Sequence, residues 1–329
     1  MKPDIKGRSL LTLNDLSDSE MLDLIDYARE LKQAKAAGSK TPEKHLANKN
    51  IAMIFEKSST RTRCATAVGA ADEGAGIQYL GKDEIHLGKK ESVADTARVL
   101  GRMFDGIMFR GFKHQRVTEL SHWAGIPVWN GLTDHSHPTQ ILADLMTIAE
   151  HFGDVSGKKL VYLGDGRNNV CNSLMIGCAK AGMDFVNCCP AELEPSPELI
   201  ADAQKTASQY GRNIEIINNP KTAVHDANVL YTDVWASMGE EDIFEERRNL
   251  LQDFQVNMGL LEKTGHTTDN NLIFLHCLPA FHNDMTEYTK DCGALEVTEE
   301  VFESEYSHAF AEAENRMHTI KALMVSTLT

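Results

Sequence analysis

The recurrence of short apolar runs at crossover spacing restricts the fold of this chain more than any other feature. Four runs, IAMIF (51–55), GIQYL (76–80), GIMFRGF (106–112) and PVWNGL (127–132), are separated by polar or helix-patterned stretches. Parallel strands cannot be joined by a tight turn, so each connection has to travel back along the sheet, usually as a helix. After a helical pattern from His137 to Phe152 comes the polar stretch GDVSGKK. The rhythm then restarts with KLVYLGD (159–165), DFVNCC (184–189), IEIIN (214–218), NVLYTDVW (228–235) and LIFLHCLP (272–279). The expected fold is therefore α/β, with two doubly wound parallel-sheet domains joined by helices. The boundary is expected in GDVSGKK, with a first domain over 1–150 and a second over 151–311. A C-terminal helix, about 312–329, is expected to pack back on the first.

Several helices announce themselves. Ser17-x-x-Glu20 is a capping box, followed by Met21, Leu24, Ile25, Ala28 and Leu31 on one face. Met317, Ile320, Leu323 and Met324 share a face near the C-terminus, where Glu314-Asn315-Arg316 reads as the helix start. GEEDIFEERR reads as a solvated helix start after a loop.

At 329 residues the chain exceeds what a single core usually supports, and its 42% hydrophobic content is ample for packing. No run approaches the ~20 apolar residues of a membrane span, and MKPDIKGRSLLTLND lacks the features of a secretory leader. A cytoplasmic protein is the expectation. The seven cysteines include no CxxC pair, so a disulfide framework or zinc ribbon is not expected. His135-x-His137 alone is weak evidence for a metal. A formal net charge of −15 argues against nucleic acid and anionic membranes as partners. An anionic substrate would then need a local island of arginines and backbone N–H groups.

Ser58-Ser59-Thr60-Arg61-Thr62-Arg63 has that composition at a predicted strand-to-helix junction, where a helix N-terminus, hydroxyls and guanidiniums can converge on phosphate. It is not a Walker loop, since GxxxxGK[ST] is absent. Simple capping, with the arginines in solvent, is the alternative. Arg110 stands at a predicted strand end, as do His137, Pro138 and Gln140, where capping is again an equal reading. In the second half GDGRNN lacks the third glycine of a dinucleotide fingerprint, but Asn168 and Asn169 offer amides. Asp233 ends a strand and precedes the flexible Ser237-Met238-Gly239, an arrangement suited to the charged ends of an amino acid or to capping the next turn. Cys277, in HCLP, is either buried filler, a hydrogen-bonding thiol or a nucleophile. Arg316 can reach a carbonyl oxygen or stay structural.

SSTRTR, WNGLTDHSHPTQILAD, TDVWASMG, HCLPAFH and AENRMHTIKALMV, in this order and at these separations, resemble the ornithine carbamoyltransferase family across nearly the whole chain. The resemblance implies a carbamoyl-phosphate domain followed by an ornithine domain, no cofactor, no metal, and a homotrimer, or a multiple of trimers, with active sites between subunits. It assigns Ser59, Thr60, Arg61 and Thr62 to the phosphate and Arg110 to phosphate and carbamoyl oxygen. His137, Gln140, Arg316, Cys277 and the Leu278 carbonyl fall to the carbamoyl group. Asn169, Asp233, Ser237 and Met238 fall to ornithine, and Arg61, Arg110, His137, Asp233, Cys277 and Arg316 form the catalytic set. His86, in IHLG, matches a loop position that reaches carbamoyl phosphate in a neighbouring subunit. Putrescine and N-acetylornithine enzymes are expected to differ where this chain reads SMG. The implied reaction converts carbamoyl phosphate and ornithine to citrulline and phosphate, or runs in reverse. A phosphate sensor and a sugar-phosphate or nucleotide enzyme are the alternatives, against which Asp233, Cys277 and Arg316 together argue.

Overall fold

The computed structural model describes residues 2–38, 44–88, 90–236 and 243–329, and in it every apolar run named above contributes a strand. The chain packs as two compact units, 1–146 with 314–329, and 147–313.

The first unit runs α1 (Asp18–Ala36), β1 (Asn50–Phe55), α2 (Arg61–Asp72), β2 (Gly76–Gly81), α3 (Val93–Leu100), β3 (Gly106–Arg110), α4 (His114–Ala124), β4 (Val128–Leu132) and α5 (Pro138–Phe152). Its sheet is parallel, ordered β2-β1-β3-β4. Ala52, Ile54, Ile107, Phe109 and Val128 pack with Val93, Ala97 and Leu100 of α3 and Val117, Leu120 and Ala124 of α4. Each fully buried Ile or Phe contributes about 1.5–3 kcal/mol, and a one-residue slip in register would turn the whole set to the other face. The alternate residues Ile51, Met53, Met108 and Trp129 are buried too. Both faces are therefore covered at β1, β3 and β4, which is why those strands read as continuous apolar runs, whereas the edge strand β2 stays partly exposed. At α1 both halves of the Ser17–Glu20 capping box form.

The second unit continues with β5 (Lys159–Leu163), α6 (Asn169–Lys180), β6 (Asp184–Cys188), α7 (Pro197–Ser208), β7 (Ile214–Ile217), α8 (Pro220–Ala223), β8 (Val229–Thr232), α9 (Phe244–Leu251), α10 (Met258–Glu262), β9 (Ile273–His276), α11 (Glu299–Phe302) and α12 (Ala309–Leu328). Its parallel sheet is ordered β7-β6-β5-β8-β9. In each sheet the chain winds one way and then crosses back, so the strand order reverses between β1 and β3, and between β5 and β8. Such switch points leave a crevice at the carboxyl ends of the strands.

The division between units falls inside α5 and again inside α12. Within the first unit, residues 314–329 are tied down at several points. Lys321 Nζ reaches Asp72 at 2.6 Å, Trp129 Nε1 donates to Thr327 Oγ1 at 3.1 Å, and Gly7 N donates to Thr327 O at 2.8 Å.

Two expectations are corrected. α12 starts at Ala309, so Arg316 lies about two turns inside the helix rather than at its start, and it is 1% exposed. The charged stretch before Leu250 is not simply solvated, because Arg247 on α9 is buried and pairs with Asp165 at 3.3 Å. Among the described residues, no helix is long and apolar enough to cross a membrane.

Candidate functional site

In the first unit the candidate side chains converge on Thr62. It follows Arg61 in the first turn of α2, at the carboxyl end of β1 and beside the switch point, where the helix end carries partial positive charge. Its hydroxyl accepts from Arg316 Nη2 at 2.8 Å and from Arg110 Nη1 at 3.3 Å. Its own N–H donates to Ser59 Oγ at 3.2 Å. Gly131 of β4 makes room for it, since a Cβ there would lie 2.9 Å from Thr62 Cγ2 and 3.1 Å from Phe109 O. Arg316 also donates to Gln140 Oε1 at 2.5 Å and to Thr139 Oγ1 at 3.4 Å, while Gln140 Nε2 donates to the buried Asp144 at 2.8 Å. A chain of polar contacts thus aims two guanidiniums.

His137 precedes Pro138, the first residue of α5, and is 4% exposed. Burial holds its pKa well below the ordinary value, and the Arg316, Arg110 and Arg61 guanidiniums push it down further. The imidazole is therefore neutral near pH 7 and can donate a hydrogen bond to a carbonyl oxygen without carrying charge. Thr60 occupies the N-cap position of α2. Arg63 turns aside and stacks its guanidinium over Tyr79, 3.9 Å from the ring centroid. His86 is exposed in the segment between β2 and α3, and among the described residues no hydrogen bond joins it to the Thr62 group.

In the second unit the reading converges on Asp233, which follows β8 and is 7% exposed. Cys277 Sγ donates to its Oδ1 at 3.1 Å, the Val234 N–H donates to the same oxygen at 2.8 Å, and Asn168 Nδ2 donates to Oδ2 at 3.0 Å. The neighbouring amide of Asn168, rather than that of Asn169, makes this contact. Asn168 is also the N-cap of α6, accepting from Val170 N at 2.7 Å, and Asn169 is the first residue of the helix. Ser237 and Met238 lie outside the described residues.

The sequence gives no hint of the support behind HCLP. His276 is fully buried, with Nε2 3.2 Å from Glu296 Oε1, and its Nδ1 accepts the Leu278 N–H at 3.0 Å. Leu278 takes a left-handed φ of +57°, which a leucine rarely adopts unless its surroundings hold it there. Only spacing could have signalled Glu296, and it lies far along the chain from Cys277. Asp233, His276 and Cys277 bring donor atoms within 4.8 Å of one another, a grouping that can suggest a metal. Both imidazole nitrogens are already engaged, however, and the thiol is committed to Asp233, so the donor set is turned inward.

Residues 8–150 match the family model of the aspartate/ornithine carbamoyltransferase carbamoyl-P binding domain, and residues 156–327 match its Asp/Orn binding domain. The catabolic ornithine carbamoyltransferase of Bacillus licheniformis is 55% identical over 99% of this chain and 97% of that protein. Ornithine carbamoyltransferase 2, catabolic, of Staphylococcus epidermidis is 54% identical over the same shares. The solved structure of the Pyrococcus furiosus ornithine carbamoyltransferase superposes with a TM-score of 0.90 at 42% identity, covering 99% of this chain and 98% of that one.

Proposed function

Because the chain belongs to the aspartate/ornithine carbamoyltransferase family, we propose that it transfers the carbamoyl group between phosphate and the δ-amine of L-ornithine, forming or phosphorolysing L-citrulline. The observation that carries this reading is the convergence of Arg110 and Arg316 on Thr62 at the start of α2, next to a neutral His137. Carbamoyl phosphate needs its leaving dianion bound by cations and its carbonyl polarised. Arg61 and Arg110, together with Ser59, Thr60, Thr62 and the α2 N-terminus, serve the first need, and Arg110, Arg316, Gln140 and the His137 ring N–H serve the second. Preorganised donors of this kind act where charge builds up, on the tetrahedral oxygen and the departing phosphate.

The nucleophile is the harder requirement. An alkyl amine of pKa ~10.4 is neutral in only roughly one molecule per thousand near pH 7. Asp233 and Cys277 orient the δ-amine, Asn169, Ser237 and Met238 hold the amino-acid end, and the Leu278 carbonyl serves the carbamoyl group. The departing phosphate takes the proton, so the reaction proceeds without a dedicated base and without a covalent enzyme intermediate. The catabolic designation of the relatives favours phosphorolysis of citrulline as the working direction.

The assembly belongs to the same proposal. The working form is a homotrimer in which His86 of one subunit serves the carbamoyl phosphate of the next. Refolding an equal mixture of a variant with residues 83–87 replaced by glycine and an Asp233→Ala variant would restore about a quarter of wild-type activity overall, carried by hybrid rings built head to tail with one good site of three. Hybrid trimers as inactive as their parents would remove His86 from the site. The reaction itself is tested by incubating the purified protein with carbamoyl phosphate and ornithine, aspartate, putrescine or N-acetylornithine and quantifying the ureido product. Product with another amine and none with ornithine would refute the reading.

A further inference from the structure

The loop that joins β5 to α6 is held from three sides within the second unit. Gly166 has no room for a side chain, since a Cβ would lie 2.6 Å from Leu193 O and 2.7 Å from both Asn187 Nδ2 and Cys189 Sγ. The fully buried Asn187 of β6 donates to Gly166 O at 3.1 Å. Asp165 organises the turn itself. Its Oδ1 accepts the Arg167 N–H at 2.9 Å, and its backbone oxygen accepts the Asn168 N–H at 3.0 Å. An aspartate that bonds the backbone two residues on is a turn former, and this turn ends on Asn168, the residue whose amide holds Asp233.

The other carboxylate oxygen of Asp165 faces Arg247 Nη2 at 3.3 Å, with the two side chains only 15% and 9% exposed. An exposed ion pair would hold little, because water and salt screen it. A pair this far out of water resists separation, and the only other guanidinium on the carboxylate among the described residues is that of the exposed Arg167, whose Nε lies 3.4 Å from Oδ1. Arg247 stands in the first turn of α9, the helix that follows the chain segment carrying Ser237 and Met238. Nothing in the carbamoyl-phosphate chemistry requires this pair.

We infer that Arg247 and Asp165 form a clamp that fixes the Asn168 turn to α9, making Arg247 a positioning residue for ornithine. This rests on the ornithine reading above. Arg247 touches no reacting atom in this scheme. It steadies the turn whose Asn168 amide holds Asp233, so its loss penalises ornithine and spares carbamoyl phosphate.

Steady-state kinetics on the full-length protein test the clamp. Arg247→Met is expected to raise the KM for ornithine about tenfold to thirtyfold, with the KM for carbamoyl phosphate changed less than about twofold. Asp165→Asn keeps the turn-forming oxygen but removes the charge from Arg167 as well as from Arg247, and should cost at least as much. The double variant should be no worse than the worse single one, because both remove one interaction. Arg247→Lys should recover part of the loss by restoring charge without the planar fork. Hydrogen exchange gives a readout independent of turnover, in which Arg247→Met speeds exchange in residues 164–169 and 244–251 together. Equal losses for both substrates, or an ornithine KM within about twofold of wild type, would overturn the inference. If Arg247→Met does not fold, Asp165→Asn carries the same kinetic and exchange measurements. A wild-type protein that makes no citrulline would sink the ornithine reading instead. The exchange experiment would then decide the clamp alone, with unchanged exchange at 164–169 counting against it.

Discussion

Thr62→Val removes one hydroxyl and leaves the shape of the side chain nearly intact. That oxygen, in a residue 1% exposed, accepts from Arg316 at 2.8 Å and from Arg110 at 3.3 Å. A hydrogen bond to a charged donor is worth about 1.5–3 kcal/mol. The first is well formed and the second long, so together they contribute about 2–3 kcal/mol to the stability of the first unit. For a unit of this size the unfolding midpoint should fall by about 4–12 °C. On the proposed reading these two guanidiniums bind the phosphate, and without the hydroxyl that aligns them they must be ordered in the binding and transfer steps. The expected fall in kcat/KM for carbamoyl phosphate is therefore about tenfold to fiftyfold. The assay is initial-rate citrulline formation with carbamoyl phosphate varied at saturating ornithine, alongside calorimetry. Thr62→Ser, which restores the oxygen, should recover most of both losses. If valine stays within about twofold of wild type, or serine is as impaired as valine, the hydroxyl does not align the two arginines.

Other expectations follow from the same geometry. Cys277→Ala should retain measurable turnover while raising the ornithine KM about tenfold, because the thiol orients Asp233 and the amine. A carbamoyl group found on Cys277 by mass spectrometry during turnover would contradict that role. Asn168→Ala removes the donor to Asp233 Oδ2 and should raise the KM for ornithine about tenfold and leave that for carbamoyl phosphate nearly unchanged; equal effects on both would count against it. His137 makes stability depend on pH with a definite sign, since its pKa in the folded protein is depressed. Above about pH 6.5 both folded and unfolded forms are neutral there, and below it only the unfolded chain takes the proton, so stability falls by up to about 1.4 kcal/mol per pH unit. Urea titrations between about pH 6.5 and about pH 5 should show this limb flattened in His137→Gln, and an identical slope in both proteins would refute it.

The sheets were legible in the sequence because parallel strands covered on both faces leave unbroken apolar runs, and IAMIF and KLVYL are such runs. The start of α1 was legible because Ser17 and Glu20 cap it locally. The SSTRTR junction and the strand-end positions of Arg110 and Asp233 were legible for a related reason, since a motif on consecutive residues at a strand end is a local signal. What could not be read depends on long-range contact. Glu314-Asn315-Arg316 resembles a helix start, yet α12 begins at Ala309, more than a turn upstream of it. The charges of GEEDIFEERR suggest solvent throughout, but a carboxylate some eighty residues earlier, Asp165, draws Arg247 inside. Which of two adjacent asparagines faces Asp233 depends on a turn set by Asp165, and the support of Leu278 comes from His276 and, through it, Glu296.

The split composition of the first unit bears on how the protein is made. A ribosome completes the sheet β2-β1-β3-β4 and then has roughly 180 residues to add before it reaches the segment that begins at Glu314. At roughly 5–20 residues per second this is on the order of ten to thirty seconds. Throughout that interval the emerging unit lacks Arg316, the partner of Thr62 and Gln140, and lacks Thr327, the partner of Trp129 and Gly7. The surface that α12 later covers is left to water or to chaperones. The polar network around Thr62 and Gln140 is thus completed only after the second unit has been synthesised.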